Sequence, residues 1–183
     1  MGGLQDGNCP LTPDPESALS PTFDLLAALA AIAGIFVGFG SLVALSEDTD
    51  AGAEEMHMVR SVVAIGLLTL VGALIPLGLA GFGLGDRALW GWSGAAFLSL
   101  IWFGLLHPTN RPVLATMIRT DPKAALFFWL VLEPPIQIPL VLCILGIFLP
   151  YAHALYTLAV VLNLFQCAQT LVQVVYGRVE RAT

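Results

Sequence analysis

A carboxylate and three prolines share one apolar stretch of this chain, Leu130-Val131-Leu132-Glu133-Pro134-Pro135-Ile136-Gln137-Ile138-Pro139. Proline has no N–H. Pro134, Pro135 and Pro139 therefore cannot bond the carbonyls of Leu130, Val131 and Pro135, which frees three acceptors around one carboxyl group. In hydrocarbon, freed acceptors must find other partners. A polar stripe further along the chain offers some: Asn163, Gln166, Thr170 and Gln173 recur at i, i+3, i+7 and i+10, one face of a helix, with Cys167 and Gln169 beside it. Folding the two segments as an antiparallel hairpin about Pro150 sets Glu133, 17 residues before the turn, level with Cys167, 17 residues after it. Gln166 and Thr170 are then expected to flank the carboxyl. Thr69 and Ser99 count to a similar depth, which gives one polar layer about 10–15 Å inside the inner face.

Two chemistries suit such a layer. In one, Glu133 is a neutral hydrogen-bond donor to a freed carbonyl or to Gln166 and serves as packing glue, worth about 0.6 kcal/mol per interhelical bond. In the other, the carboxylate, Gln137, the loose carbonyls and the polar stripe line a wet path for a proton or a monovalent cation, as broken helices do in transporters. An ionisable residue placed mid-span costs at least about 2.5 kcal/mol, more than one such bond returns, and the balance favours a functional role.

Other constellations are weaker. Glu54-x-x-His57 has the i, i+3 spacing of a di-iron ligand pair, but no second ExxH accompanies it. Asp48-Thr49-Asp50-Ala51-Gly52 reaches its glycine one residue too early for an EF-hand, and Val59 stands where the loop glutamate belongs. Met56, His57 and Met58 are adjacent, so on a helix they point in different directions. The acidic stretch 46–60 reads instead as a solvated, negative helix start. His57, His107 and His153 fall at span boundaries, where they do not sandwich a buried haem. No nucleophile–base set, phosphate loop or HExxH occurs, so neither an enzyme nor a cofactor is expected. Cys9, Cys143 and Cys167 show no metal-ligand spacing and no disulfide framework.

The elements that must position Glu133 follow from composition. Hydrophobic residues make up 57% of the 183, charged residues only 11%, and mean hydropathy is +0.86. Soluble domains carry about 25% charge, so most of this surface has lipid as its solvent. With a net charge of −6 and no basic patch, nucleic acid is not expected as a partner. Five apolar runs are long enough to cross: 23–45, 62–84, 89–106, 124–149 and 151–176. Ser20-Pro21 and Asp121-Pro122 read as helix starts, and Asp24 as a first-turn carboxylate. The first 22 residues, free of Lys and Arg, form an acidic tail with no leader or lipidation signal.

Alternating the spans puts Arg60, Arg111, Arg119, Lys123, Arg178 and Arg181 on one side and Arg87 alone on the other. The positive-inside rule then places the N-terminus outside and the C-terminus, 177–183, in the cytoplasm, with a bacterial inner (plasma) membrane as the expected location. Trp90, Trp92, Tyr151 and Tyr156 are expected at the outer boundary, and Trp129 and Tyr176 near the inner one. Between the third and fourth spans, Val113, Leu114, Met117 and Ile118 share a helical face next to Arg111, Arg119 and Lys123, which predicts a short amphipathic helix on anionic lipid headgroups. Gly34 and Gly38, preceded by Ala30, offer a close-packing face. The expected fold is an all-α polytopic membrane bundle of five helices in a single domain, assembled as a homo-oligomer or within a larger membrane complex. The expected function is an ion- or proton-conducting protein, or alternatively a non-catalytic accessory subunit.

Overall fold

The structure is a computed structural model that describes residues 15–45, 53–106, 126 and 128–182. All of its elements are helical: α1 (Pro15–Leu45), α2 (Ala53–Ala80), α3 (Asp86–Leu106), a π-helical turn (Phe128–Leu132) leading into α4 (Glu133–Leu145), a 3-10 turn (Leu149–Tyr151) and α5 (Ala152–Ala182). Four stretches are long and apolar enough to cross a membrane: Pro21–Val43, Val59–Ala80, Asp86–Leu106 and Leu149–Gln173. Large apolar side chains such as Ile35, Leu42, Phe103 and Phe165 stay exposed on their outer faces, as lipid-facing residues do. Arg111, Arg119, Lys123 and the rest of the expected surface helix lie outside the described residues, as do Cys9 and the Asp121-Pro122 helix start.

Helix ends differ from the expected ones for identifiable reasons. The first helix begins at Pro15, not after Ser20. Proline at the first helical position gives up only an N–H that would lack a partner anyway. Pro21 is carried inside the helix, at the loss of one bond to the carbonyl of Ser17. Asp24 is consequently an exposed side chain some turns into α1 instead of a first-turn carboxylate. The acidic stretch before the second span is already helical from Ala53, so Glu54 and Glu55 open α2 at its positive end.

In the fourth apolar run the helix ends earlier than expected, at Leu145. Its apolar helical part covers Leu130–Leu145, about 24 Å at ~1.5 Å per residue. Gly146 ends it at φ +66°, with its N–H donating to the carbonyls of Leu142 at 3.0 Å and Cys143 at 3.2 Å. Left-handed backbone at this point is open to glycine and penalised for other residues. Arg87, from the start of α3, lies over the same turn: a Cβ at Gly146 would meet its Nε at 3.3 Å. A cation there complements the carbonyl end of α4.

In the bundle, α5 packs against α1, α2, α3 and α4, and α2 packs against α1, α3 and α5. Small residues set the spacing. A Cβ on Gly40 would come 2.9 Å from Val63 Cγ2, and one on Gly66 2.9 Å from Val37 Cγ2, so α1 and α2 approach closely through those glycines. Gly34 faces Leu70 at 3.6 Å, whereas Gly38 has nothing within 4 Å.

An aromatic cluster fills the core. Trp90 stacks on Phe23 (centroids 6.3 Å apart) and tilts against His153 and Tyr156, while Tyr156 in turn meets Phe97 at 6.0 Å. Of the four aromatics expected at the outer boundary, Trp92 and Tyr151 are exposed, but Trp90 and Tyr156 are buried in this cluster. Helix phase decides between them, because residues 90 and 92 lie about 200° apart around α3 and cannot share a face.

Candidate functional site

Prolines organise the polar interior, beginning in α2. Pro76 sits inside that helix and lacks the N–H that the carbonyl of Gly72 would accept. Tyr156 of α5 supplies the missing donor through its hydroxyl. It can come this close because Gly72 has no side chain: a Cβ there would lie 2.6 Å from the ring of Phe97, which packs on Tyr156. One turn before Gly72, Asn163 Nδ2 donates to Thr69 Oγ1 at 2.8 Å, and that hydroxyl donates to the carbonyl of Ile65 at 2.8 Å. Cys167 Sγ donates to the carbonyl of Val62 at 3.4 Å. Three polar contacts thus tie α5 to α2 along one seam, all through buried α5 side chains.

Glu133 belongs to a different arrangement. The rings of Pro134 and Pro135 would collide with the carbonyls of Leu130 and Val131 in an uninterrupted α-helix. The chain widens instead into the π turn Phe128–Leu132 and starts α4 afresh at Glu133. In the first turn of that new helix the two prolines cost no hydrogen bond, since N–H groups there have no intrahelical acceptor. The restart leaves Glu133 only 6% exposed. One turn on, Gln137 Nε2 donates to Glu133 Oε2 at 2.8 Å.

The pair opens onto a cleft of about 400 Å3 lined by Trp102, Glu133, Pro134, Gln137, Ile138, Val141 and Leu142. Trp102 of α3 forms one wall and is 38% exposed; Ile138 and Val141 on the α4 wall are also exposed, so the cleft faces the outside of the bundle. Apart from Glu133 and Gln137 its walls are hydrocarbon and indole. Among the described residues no group of three or more His, Cys, Asp or Glu comes together to hold a metal.

The residues expected to form one polar layer are therefore divided. Glu133 and Gln137 share the outer cleft, while Asn163 joins Thr69 inside the α2–α5 seam. Gln166 is buried on α5, and Thr170 turns its hydroxyl back to the Gln166 carbonyl at 2.9 Å. Gln173 is exposed, and Ser99, also exposed, bonds the carbonyl of Ala95. Pro139 is buried in α4.

Two features escaped the pattern of residues along the chain. Tyr156 could have been found, because Pro76 frees the Gly72 carbonyl by the same logic that singled out Pro134. Trp102 could not, since only the packing of α3 on α4 brings it to Glu133. Comparison with family models, with curated proteins and with solved structures finds no match to this chain.

Proposed function

We propose that this is a small membrane protein in which Glu133 is a working group that handles a proton or a monovalent cation. The observation that carries the reading is the carboxylate's partner. Glue should join two helices, yet Glu133 is bonded by Gln137 of its own helix and lines an outward cleft. By contrast, Asn163–Thr69 and Tyr156–Gly72 each join two helices, α5 and α2. A carboxyl held inside a membrane is costly, and a bond within one helix returns nothing to assembly that would offset it.

The proposed frame is five crossing segments, with the short α4 and its π turn as the fourth, the N-terminus outside and the C-terminus in the cytoplasm of a bacterial plasma membrane. Because the cleft opens outward and Asn163, Gln166, Thr170 and Gln173 lie on another helix, a complete path is formed against a second surface, supplied by another copy of the chain or by a larger complex. In proteoliposomes, wild-type protein is expected to carry a proton or cation flux that falls sharply in Glu133→Gln while the helical fold survives.

The second reading, an accessory subunit without transport of its own, draws on the same outward opening, which suits a partner's side chain as well as an ion. Wild-type vesicles with no flux above empty ones across pH, voltage and ion type would select it. Co-purification of a larger complex after mild detergent extraction would support it further.

A further inference from the structure

We infer that the cleft beside Glu133 binds a lipophilic cation, an ammonium or phosphonium centre carried on an apolar body; this rests on the reading of Glu133 as a working group. A carboxylate more than nine-tenths buried needs a counter-charge or several donors, and Gln137 provides one N–H to one of its oxygens. An ionised carboxyl group has about four lone-pair sites, of which Gln137 meets one among the described residues, and a ligand reaches the group through the small part of it that lines the cleft. Lipid tails filling the cleft would leave that capacity unmet.

An inorganic ion fits the walls poorly. It would need several more oxygen ligands, and the remaining lining is Trp102, Pro134, Ile138, Val141 and Leu142. A cation whose charge is spread and whose body is apolar meets every wall at once. Glu133 takes the charge, the Trp102 indole offers a π face to the cationic centre, and the aliphatic side chains take the body. The volume, about 400 Å3, falls within the ~300–1,000 Å3 of small-molecule sites. The exposed flanks of Ile138 and Val141 leave the cleft open sideways, so a ligand dissolved in the bilayer can enter without crossing the bundle.

The test uses purified full-length protein in detergent and in proteoliposomes, with tetraphenylphosphonium as probe and tetraphenylborate, nearly its shape with the opposite charge, as comparator. Equilibrium dialysis should show saturable binding of the phosphonium and none of the borate. Glu133→Gln should weaken phosphonium binding by about tenfold or more, as expected for losing a charge contact in a low-dielectric site. Trp102→Leu should weaken it several-fold while Trp102→Phe retains most of it. Should Glu133→Gln fail to fold, Ile138→Trp keeps the carboxylate and fills the cleft from an exposed position, and it should abolish binding with helicity unchanged. Absence of saturable binding, equal binding of the borate, or unchanged affinity in both Glu133→Gln and Ile138→Trp overturns the inference. A Glu133-dependent proton or sodium flux in the same vesicles without phosphonium binding overturns the inference alone and leaves the working-group reading standing. Phosphonium binding that depends on Glu133, in vesicles that carry no flux, supports the inference and removes transport from the proposed function.

Discussion

Removing the Tyr156 hydroxyl tests the proline logic of the bundle directly. In Tyr156→Phe the ring stays within the aromatic cluster, but the carbonyl of Gly72 loses its donor and Pro76 cannot replace it. An interhelical hydrogen bond in a membrane protein averages about 0.6 kcal/mol and reaches about 1.7. Leaving a buried acceptor unmet costs about 1–3 kcal/mol. Both groups are enclosed, with Tyr156 fully buried and Gly72 hemmed in by the Phe97 ring, so water cannot substitute and the upper part of the interhelical range applies. A loss of about 1–2 kcal/mol is expected. In Pro76→Ala the helix regains an N–H aimed at the same carbonyl, so Tyr156→Phe in that background should cost about 0.5 kcal/mol or less. Pro76→Ala leaves a small void of its own, because Pro76 is fully buried, but that cost is common to both arms and cancels from the cycle. Reversible unfolding in mixed detergent micelles, followed by helicity and by intrinsic fluorescence, reads the four stabilities. If Tyr156→Phe costs the same with proline or alanine at 76, the hydroxyl is not serving the carbonyl that Pro76 frees.

Further outcomes follow from single contacts. Gly72→Ala, with a Cβ 2.6 Å from the Phe97 ring, should destabilise by about 1–2 kcal/mol after allowing for its better helix propensity, whereas Gly78→Ala on the same helix, with nothing within 4 Å, should be neutral or stabilising in the same unfolding assay. Thr69→Val and Asn163→Leu should couple by about 0.6–1.7 kcal/mol in a double-mutant cycle, and additive losses would mean that their 2.8 Å bond contributes nothing. Gly146→Ala, forced to φ +66° against Arg87, should lose about 1–2 kcal/mol and loosen the α4–α5 turn, read as faster amide exchange there. For orientation, Cys9 should react with an impermeant thiol reagent on intact cells, and neutralising Arg111, Arg119 and Lys123 together should weaken retention on anionic lipid; protection of Cys9 until lysis would refute the proposed direction.

Much of the architecture was legible from local rules. Apolar runs and scarce charge dictate helices suited to lipid, because a backbone without water must satisfy its own hydrogen bonds. The unusual nature of Leu130–Pro139 was legible too, since a proline's effect on the carbonyl four residues back depends on nothing distant. Helix ends were less so: the left-handed cap at Gly146 and the early start at Pro15 each have a sequence signal, but hydropathy averaged over a span hides it.

What only the packed bundle decided is which polar groups meet. Depth along a helix axis can be counted from the turns, and that count set Glu133 level with Cys167. The angle at which each helix presents its faces cannot be counted, because it depends on how close neighbouring helices come. That distance is governed by contacts such as Gly66 on Val37 and Gly72 on Phe97, between residues far apart in the chain. The shared depth expected from that count did not become contact among the described residues. Asn163 met Thr69, Tyr156 met Gly72, and Glu133 turned with Gln137 toward Trp102. The residues able to do chemistry were determined by the sequence, and the partners they have to do it with were determined by helix rotation.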